Sequence, residues 1–588
     1  MFGTNEKHNL VRAAYSRRGS DMYITEDFYK RGLLKLGSQY AADMVSMTDF
    51  LLEIKMTKNG APVSYIYYAD EGSLILRNGE AFVEFAFTDR RHIRVRGKGA
   101  GLTLSLKSAF GGTARALRGF FEGEAEFGRY GKLYFSALKG AFTAAAPYDF
   151  DKGEFAFAEF SFLPDAATGE FDGAIHDYIG DTPEPYYGYE DFDEEVAYNR
   201  DDFEQWTTKY RKVAKGYEET AKYALWTIWS MRANPRGQLV EPIIFFHKHW
   251  AIAAASWQQS YNAMSMQLDP AEAWRQVCTM FRYQDPRTGR LPGMLTYNSP
   301  LTGMQAPFQG FALDFLVRHI GDDFMTPESA VEMYPKFAKW ANYWTTYRSA
   351  GRGDDVTAIL SPHESGWDDA SNFRDGFPAN DPGNLAFLVL LFENVARLAR
   401  KAERPNEADE WNSRAAKLTD TIINEFWDGE KFATKVKGKN VECLSLATYQ
   451  PIILGKRLPQ EIIDKVAEKL MTEGEWLTEI GLASESMKSE LVTFGVSFVC
   501  GRVVAPQNMI LSVGLKAAGK DKEAAEVARR YCDKVRDEGI ILGFAPYDYY
   551  PLTGEKADMQ VPPIATDGWP WTSWCANSFM TMATYVMD

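Results

Sequence analysis

Histidine and cysteine are scarce in this sequence, and neither falls in a pattern typical of metal or redox chemistry. The 588 residues include 7 histidines and 5 cysteines, an odd cysteine number without a CxxC pair. The cysteines are Cys278, Cys443, Cys500, Cys532 and Cys575, which we predict to be reduced, mostly buried thiols. HExxH, EF-hand, P-loop and GxSxG motifs are missing as well. We therefore predict no metal and no cofactor, and serine-hydrolase chemistry is unsupported.

The sequence also has no long apolar run and no excess of basic over acidic residues. The longest apolar run, LAFLVLLF from Leu385 to Phe392, is far shorter than the roughly 20 residues that a membrane-spanning helix needs. Twin arginines at Arg17 and Arg18 lack a following apolar segment, so neither a Sec nor a Tat signal is indicated and a cytoplasmic protein is predicted. The net charge of -15 argues against nucleic-acid and anionic-membrane partners and favours neutral substrates or proteins.

The first part of the chain has the period of β-strands. Before about residue 165, apolar residues recur at every second position. The segment SLILRNGEAFVEFAF contains two alternating runs around Asn78-Gly79, which is a strong signal for a β-hairpin. The segments RHIRVRGKGAGLTLSLKS and EFAFAEFSF continue the alternation. We predict an antiparallel β-sandwich over residues 1–180.

The second part has the period of helices. Residues 181–202 are acidic and rich in proline and tyrosine, and we interpret them as a linker whose tyrosines pack on a neighbouring surface. From Phe203 onward helical periodicity dominates, as in the segment where Asp381 is a candidate N-cap and Pro382 the first helical residue. About a dozen such segments predict an (α/α)6 barrel over residues 203–588. A helical-repeat solenoid is the alternative, but no fixed repeat period is found.

The loops between the predicted helices are rich in aromatic and polar residues. Examples are KHWAIAAASWQQSYN, MQAPFQGFALDF, HESGWDD, GRVVAPQN, PYDYYPLTGE and DGWPWTSW. Aromatic rings stack on the C–H faces of a sugar, while amides and carboxylates bond its hydroxyls. Burial in the core is a sufficient explanation for the tryptophans of any single loop, but the number of such loops favours a carbohydrate site.

The same loops resemble the inverting α-glycosidases with an (α/α)6 barrel, notably glycoside hydrolase family 63 and the related trehalases of family 37. ESGWDD, at 364–369, is similar to the ESGxD motif of these enzymes. RYQDPRTGRLPGM, MQAPFQGFA, GLASES, GRVVAPQNM, YYPLTGE and WPWTSW resemble further family segments in the same order. The resemblance covers roughly residues 203–588 and implies hydrolysis of a glycoside with inversion.

By this resemblance, Asp368 is the general acid. Protonation of a glycosidic oxygen needs a carboxyl that is neutral near pH 7, and an apolar neighbour such as Trp367 favours that form by desolvation. Asp369 favours it further if both carboxylates face one site. A helix N-cap is the alternative role for an Asp in this position.

The resemblance implies a general base close to Asp548. An inverting enzyme needs a carboxylate about 6.5 to 9.5 Å from the acid, with room for one water. The family has a Glu four residues before the proline of its Pro-x-Thr-Gly turn, and Tyr547 stands at that position here. Asp548, one residue later, is the candidate base, with a surface turn as its alternative role. Glu485 and Glu364 are fallback candidates.

The resemblance also implies a set of sugar-binding residues. The family usually has Trp-Asp where this chain has Trp257-Gln258, and Gln carries no charge, so the sugar preference stays open. Gln305 matches a sugar-binding Gln, and Arg502 matches an Arg that orients a carboxylate or hydroxyl; capping or a salt bridge is the alternative for each. The predicted substrate-binding set is Trp257, Gln258, Gln305, Glu364, Trp367, Arg502, Trp569 and Trp571.

The combined prediction is an exo-acting, α-glucosidase-like hydrolase that cleaves a small α-linked oligosaccharide or glycoside with inversion. A phosphorylase on the same fold keeps the acid and replaces the base with phosphate, but no basic cluster marks a phosphate site. An isomerase or epimerase needs histidine-based proton transfer, and the loops hold few histidines. A carbohydrate-binding protein without turnover is the alternative from another class.

Overall fold

The computed structural model describes most of the chain. The described residues are 10, 14–27, 32–38, 52–89, 91–109, 112–116, 123–127, 132–178, 186–248, 253–297, 300–301, 303–492, 499–538 and 572–587. Two compact units divide the chain. The first comprises residues 1–207, 226–253 and 296–298, and the second comprises residues 208–225, 254–295 and 299–588.

The first unit is built from antiparallel β-strands. Within the described residues they are β1 (Met22–Glu26), β2 (Leu34–Ser38), β3 (Leu52–Lys58), β4 (Ala61–Pro62), β5 (Ile66–Ala69), β6 (Leu74–Asn78), β7 (Ala81–Phe87), β8 (His92–Lys98), β9 (Gly101–Ala109), β10 (Gly112–Ala116), β11 (Gly123–Phe127), β12 (Lys132–Lys139), β13 (Ala141–Ala145), β14 (Tyr148–Asp149), β15 (Glu154–Leu163) and β16 (Glu170–Asp177). Two-residue pairs Arg232–Ala233 and Ile243–Ile244 add a small ladder.

These strands form two eight-stranded sheets. One has the order β1-β2-β3-β9-β15-β13, with β4 and β14 attached at the side, and the other has the order β10-β11-β12-β16-β8-β7-β6-β5. Phe135 of the second sheet stacks on Phe160 of the first with ring centroids 4.7 Å apart, so the sheets pack face to face. The predicted hairpin is confirmed, since Asn78 pairs with Ala81 and Gly79 has a φ of 59°.

The stretch interpreted as a linker contains ordered structure. Helix α1 (Phe192–Thr207) begins inside residues 181–202, so the segment predicted as a linker is helical from Phe192 onward. Ahead of the helix, the Tyr189 hydroxyl is 2.7 Å from His176 Nε2, and the Tyr186 ring lies 4.9 Å from His92. These tyrosines therefore pack on the second sheet, as expected from their number, while the domain boundaries at 180 and 203 stay a prediction.

A buried ion cluster ties the start of the first unit to its later segments. Arg236 Nη1 lies 2.5 Å from Asp21 and 3.2 Å from Asp177, and all three side chains are at most 6% exposed. Ser38 donates to Asp177 at 2.7 Å, and the Tyr297 hydroxyl donates to Asp21. Each buried carboxylate thus has hydrogen-bond donors as well as the guanidinium charge.

The second unit is mainly helical. Within the described residues its helices are α2 (Glu218–Ser230), which belongs to this unit only up to Leu225, α3 (Ser256–Ser265), α4 (Pro270–Cys278), α5 (Gln309–Ile320), α6 (Pro327–Tyr347), α7 (Pro382–Lys401), α8 (Pro405–Thr421), α9 (Gln460–Leu470), α10 (Ala505–Ala517), α11 (Asp521–Glu538) and α12 (Ser573–Thr581). Shorter 3₁₀ or π segments cover Thr279–Tyr283, Pro362–Glu364, Ser371–Phe373, Ile422–Phe426, Leu446–Arg457 and Met582–Val586. Two-residue strands lie at Ala254–Ala255, Met294–Leu295, Pro300–Leu301, Ala379–Asn380, Lys435–Val436, Lys439–Asn440, Leu477–Thr478 and Gly481–Leu482.

Six helical segments of this unit form a closed inner ring. Going round it, α3 packs on α5, α5 on α7, α7 on the segment Leu446–Arg457, that segment on α10, α10 on α12, and α12 again on α3. Helices α4, α8, α9 and α11 each pack on the inner segment nearest to them in the chain. A closed inner layer with outer helices is the arrangement that the predicted (α/α)6 barrel requires.

Polar side chains join the two inner helices that are furthest apart in the chain. The Asn577 amide on α12 donates to Asn262 Oδ1 on α3 at 2.6 Å, and Gln258 donates to Ser573. Ser265 donates to Asn577 as well. All five side chains are at most 2% exposed, so the seam of the ring is a buried hydrogen-bond network.

Helix α7 begins as predicted. Asp381 accepts a hydrogen bond from the Asn384 backbone N–H at 2.8 Å, and Pro382 occupies the first turn. The same carboxylate accepts from Thr434 at 3.1 Å and from Asn372 at 3.3 Å. Burial raises the pKa of Asp381 to about 6, although these hydrogen bonds lower it.

Candidate active site

The segment HESGWDD, residues 363–369, is fixed at its start by a buried carboxylate. Glu364 is 6% exposed and lies 2.8 Å from the Arg348 guanidinium. Its other oxygen accepts from the Leu360 backbone N–H at 2.9 Å. In this structure Glu364 anchors the turn, and its predicted contact with a sugar stays a prediction.

The next two residues make a tight turn against Trp257. Ser365 donates to the Pro362 carbonyl at 2.6 Å and accepts from the Trp367 N–H at 3.0 Å. Gly366 has a φ of 82°, and a Cβ there would come within 2.6 Å of the Trp257 ring. Position 366 therefore favours glycine for two reasons: the backbone has a positive φ, and there is no space for a side chain.

Two glutamines from distant helical segments hold this turn from the other side. Gln507, in the first turn of α10, donates to the Gly366 carbonyl at 2.9 Å. Gln450, in the segment Leu446–Arg457, accepts from the Trp367 indole N–H. Both glutamines are at most 2% exposed, so the turn is fixed by buried hydrogen bonds that tolerate little movement.

The two aspartates that follow the turn have different surroundings. Asp368 Oδ1 lies 3.2 Å from His363 Nδ1, and the Asp368 side chain is 20% exposed. Asp369 accepts from the backbone N–H of Val499 at 2.7 Å. These contacts do not test whether both carboxylates face one site. The contact of Asp368 is with the His363 imidazole, whereas the sequence predicts an apolar neighbour.

Aromatic side chains line a small cavity beside this turn. The lining residues are Trp257, Tyr261, Phe308, Ser365, Gly366, Trp367, Phe387, Gln507, Ile510 and Trp574. Within it, the Trp257 and Trp574 rings are 5.3 Å apart and the Tyr261 and Phe308 rings are 4.4 Å apart. These residues come from the inner helices α3, α7, α10 and α12, from Phe308 directly before α5 and from the acidic turn, so the cavity lies inside the ring.

The other sequence-predicted residues near Trp257 have structural contacts. Gln305 accepts from the Trp257 N–H at 3.1 Å, and it therefore caps α3. Gln258 is fully buried, with its carbonyl 3.3 Å from the Ala255 N–H and its amide on Ser573. For both side chains a role in sugar binding stays a prediction.

Glu485 and Arg502 are both fully buried, on segments joined by a hydrogen bond from the Ser484 N–H to the Arg502 carbonyl. Glu485 accepts from Ser371 at 2.7 Å and from Ser489 at 2.8 Å, and burial raises the pKa of its carboxyl. Arg502 is fully buried, and its backbone N–H donates to Ser484 at 2.9 Å. Asp548, Trp569 and Trp571 lie outside the described residues.

Sequence reasoning missed Trp574, Gln450 and Gln507 as residues of this region. Trp574 and Gln507 belong to the aromatic and polar segments DGWPWTSW and GRVVAPQN. Gln450 lies in the segment LATYQPIILGKR, which contains no such cluster. Only the fold brings Gln450 to Trp367, 83 residues earlier in the chain.

Comparison with known proteins identifies the family. Residues 248–572, more than half of the chain, match the mannosylglycerate hydrolase MGH1-like glycoside hydrolase domain. The chain belongs to this glycoside hydrolase family. The match includes the whole HESGWDD segment and Asp548, and it confirms the resemblance to the (α/α)6-barrel glycosidases. No curated protein matches the sequence.

Several solved structures are similar to this chain. A bacterial glucoamylase in complex with acarbose has a TM-score of 0.62, with 98% of this chain and 94% of that chain covered at 11% identity. This likeness confirms the fold, a β-sandwich followed along the chain by an (α/α)6 barrel. Two further matches are structures of the family 63 mannosylglycerate hydrolase from Thermus thermophilus, each with a TM-score of 0.46. The complex with glucose is 19% identical, with 56% of this chain and 92% of that chain covered. The complex with Tris and D-glycerate is 18% identical, with 56% of this chain and 93% of that chain covered.

The longest described helices are α6 and α7, with 21 and 20 residues. None of the described helices is both long enough and apolar enough to cross a bilayer. The cytoplasmic location stays a prediction.

Proposed function

We propose that this protein is an exo-acting hydrolase that cleaves a small α-linked glycoside with inversion and uses Asp368 as general acid. Family membership supports glycoside hydrolysis. The observation that carries the proposal is the position of Asp368 directly after Trp367. The Trp367 side chain lines the aromatic cavity inside the helical ring. Aromatic rings beside a carboxyl suit a glycoside, because the rings stack on the C–H faces of a sugar while the carboxyl reaches its glycosidic oxygen.

The anchoring of the turn supports the role of Asp368. An acid that protonates a leaving group must be held within a few tenths of an ångström of its working position. The Arg348–Glu364 ion pair fixes the start of the turn, and Gln507 and Gln450 fix Gly366 and Trp367. The Asp368 carboxyl itself stays 20% exposed, so it can reach a bound glycoside.

The general base is proposed to be Asp548 rather than the fallback residues. Glu485 is fully buried and accepts hydrogen bonds from two serines, so it has no open side for an attacking water. Glu364 is bound to Arg348 and to a backbone N–H, which occupies both of its oxygens. Asp548 follows in the C-terminal segment that resembles the base-bearing loop of related inverting glycosidases.

Two sugars compete as the substrate of this site. An α-glucoside follows from the resemblance to family 63 and its trehalase relatives. An α-mannoside such as mannosylglycerate follows from the family description of residues 248–572. Gln258, which replaces the usual Asp, is buried on Ser573, so the glycone contact made by that Asp in relatives has to differ here. Substrate specificity is therefore left to experiment.

Proton NMR of the anomeric region tests the proposal. Purified protein is given a panel of α-glucosides, α-mannosides including mannosylglycerate, and α-galactosides, with Asp368→Asn and Asp369→Asn as matched variants. We expect the β-anomer to appear first from one substrate, a loss of about 10²- to 10⁴-fold in Asp368→Asn, and near-normal turnover in Asp369→Asn. The amide carbonyl that Asp369→Asn introduces can still accept from the Val499 N–H.

Other outcomes favour the alternatives. Release that needs added phosphate and yields a sugar phosphate indicates a phosphorylase. Saturable binding without release of any sugar indicates a carbohydrate-binding protein that has lost turnover. An α-anomer as the first product contradicts inversion and with it the roles of both aspartates.

A further inference from the structure

His363 connects the Asp368 carboxyl to solvent. The ring lies on the short 3₁₀ segment Pro362–Glu364, and its Nδ1 is 3.2 Å from Asp368 Oδ1. The His363 side chain is 73% exposed, whereas the Asp368 side chain is 20% exposed. One edge of the imidazole therefore contacts the carboxyl while the rest of the ring faces water.

The charged groups around His363 favour its protonated form. Asp368 and Asp369 both act on the ring, and the adjacent Glu364 is neutralised by Arg348. The hydrogen bond to Asp368 raises the pKa of His363 above its ordinary value, against a smaller opposing effect of partial burial. Within the described part of the chain, Asp368 and Asp369 are the charged groups that affect the pKa of His363, and no cation is among them.

We propose that His363 is the proton relay of Asp368, returning a proton to the carboxylate through Nδ1 after each turnover and recovering one from solvent. This inference rests on the proposed function of Asp368 as general acid. His363 contacts neither the glycoside nor the water in this scheme, so it is a positioning residue that acts through Asp368.

The proton balance of one cycle closes with these groups. The Asp368 carboxyl gives its proton to the glycosidic oxygen as the anomeric C–O bond breaks, and it becomes a carboxylate. The general base removes a proton from the attacking water. The His363 imidazolium then gives its Nδ1 proton to Asp368 and keeps the proton on Nε2. The neutral ring takes a new proton from solvent at Nδ1, and the base releases its own proton to solvent.

The relay extends the pH range in which the His363–Asp368 pair holds a proton that Asp368 can receive. An isolated Asp carboxyl loses its proton near pH 3.9. The His363–Asp368 pair keeps one transferable proton until the pH passes the pKa of His363, which the contact with Asp368 raises above the ordinary value. The upper limb of the kcat/KM profile therefore reports the pair and not Asp368 alone.

An NMR titration of the His363 ring tests the pair without any substrate. The pKa of His363 is measured in the wild-type protein and in Asp368→Asn, with Asp369→Asn as the matched single-charge control. We expect a clear fall in Asp368→Asn and a smaller fall in Asp369→Asn. An equal pKa in the wild type and Asp368→Asn overturns the relay, whatever the protein hydrolyses.

Kinetics of two variants test the relay itself. His363→Asn keeps a donor near the Nδ1 position but cannot titrate, and His363→Ala leaves space for added imidazole. We expect the upper limb of kcat/KM to move to lower pH in both, with at least about a tenfold loss at pH 7 because each pH unit beyond the limb costs tenfold. Imidazole should restore part of the rate of His363→Ala.

A structural role of His363 predicts a different result. It would lower the rate equally at all pH values and would not respond to imidazole, and that result overturns the relay. If the wild-type protein hydrolyses no glycoside in the panel, the proposed function fails and the relay fails with it. The NMR titration then still reports whether the His363–Asp368 pair exists, so the two failures are distinguishable.

Discussion

Gly366 lies against the Trp257 ring, and a Cβ at Gly366 would come within 2.6 Å of that ring. The turn that carries Trp367 and Asp368 can approach the inner helix α3 this closely only because residue 366 has no side chain. The φ of 82° at Gly366 is also one that other residues adopt at a cost.

Gly366→Ala should destabilise the protein by more than its backbone cost. The left-handed conformation alone costs about 1 to 2 kcal/mol, and the contact with Trp257 adds to it. Gly353→Ala is the matched control, because Gly353 has a φ of 75° and no atom within 4 Å of its Cβ position. Denaturant unfolding of both variants gives the difference, and equal losses would show that the Trp257 contact carries no cost.

Trp367→Phe should destabilise the protein by about 1 to 3 kcal/mol, because the Gln450 carbonyl loses its buried donor. Gln450→Leu alone should cost a similar amount by leaving the indole N–H without its acceptor. The double variant should lose less than the sum of the two, since it removes both polar partners together. Additive losses in this double-mutant cycle would contradict the hydrogen bond.

Asp381 should make the stability of the protein fall as the pH rises from about 4 to about 6. Burial raises the pKa of Asp381 from its ordinary value of 3.8 to about 6, so the folded state holds the proton more tightly than the unfolded chain. The contribution is complete below the unfolded pKa and is lost as the pH passes the folded one, a span of about 3 kcal/mol.

The matched variant for this test is Asp381→Asn, which keeps an N-cap acceptor for Asn384. Unfolding free energies of both proteins are compared from pH 4 to pH 7. The wild type minus variant difference should decline over this range, and a constant difference would show that Asp381 does not titrate there.

Arg236→Met should destabilise the protein by about 3 to 5 kcal/mol, because Asp21 and Asp177 would stay buried without their cation. Adding Asp177→Asn to this variant should recover part of the loss by removing one of the two charges. Thermal unfolding measures both, and a tolerated Arg236→Met would indicate that one of the carboxylates is neutral in the folded protein.

Local signals were enough to predict most of the fold. The hairpin at Asn78 and Gly79 and the Asp381 N-cap of α7 follow from residues within a few positions of each other. The start of α1 was missed, although its first turn holds Asp193, Glu194 and Glu195, which suit a helix N-terminus. The high density of acidic and aromatic residues before it was interpreted as a linker instead.

The candidate site was less accessible to the same reasoning. Motif resemblance led to Trp257, Trp367 and Asp368, and the structure brings Trp257 and Trp367 to one cavity. Motif resemblance could not find the contact of Gln507 with Gly366, 141 residues away, because no local sequence pattern predicts the partner of a glutamine in a helix. The contact of His363 with Asp368 lies within one loop, but it depends on the turn at Gly366.

The seam between α3 and α12 makes folding of the helical unit a late event in synthesis. Asn262 and Asn577 are 315 residues apart, and the ring closes only when α12 reaches α3. A ribosome adding about 5 to 20 residues per second needs tens of seconds to pass from one to the other. During that time α3 lacks the contacts that Ser573 and Asn577 supply, and Trp257 lacks its contact with Trp574.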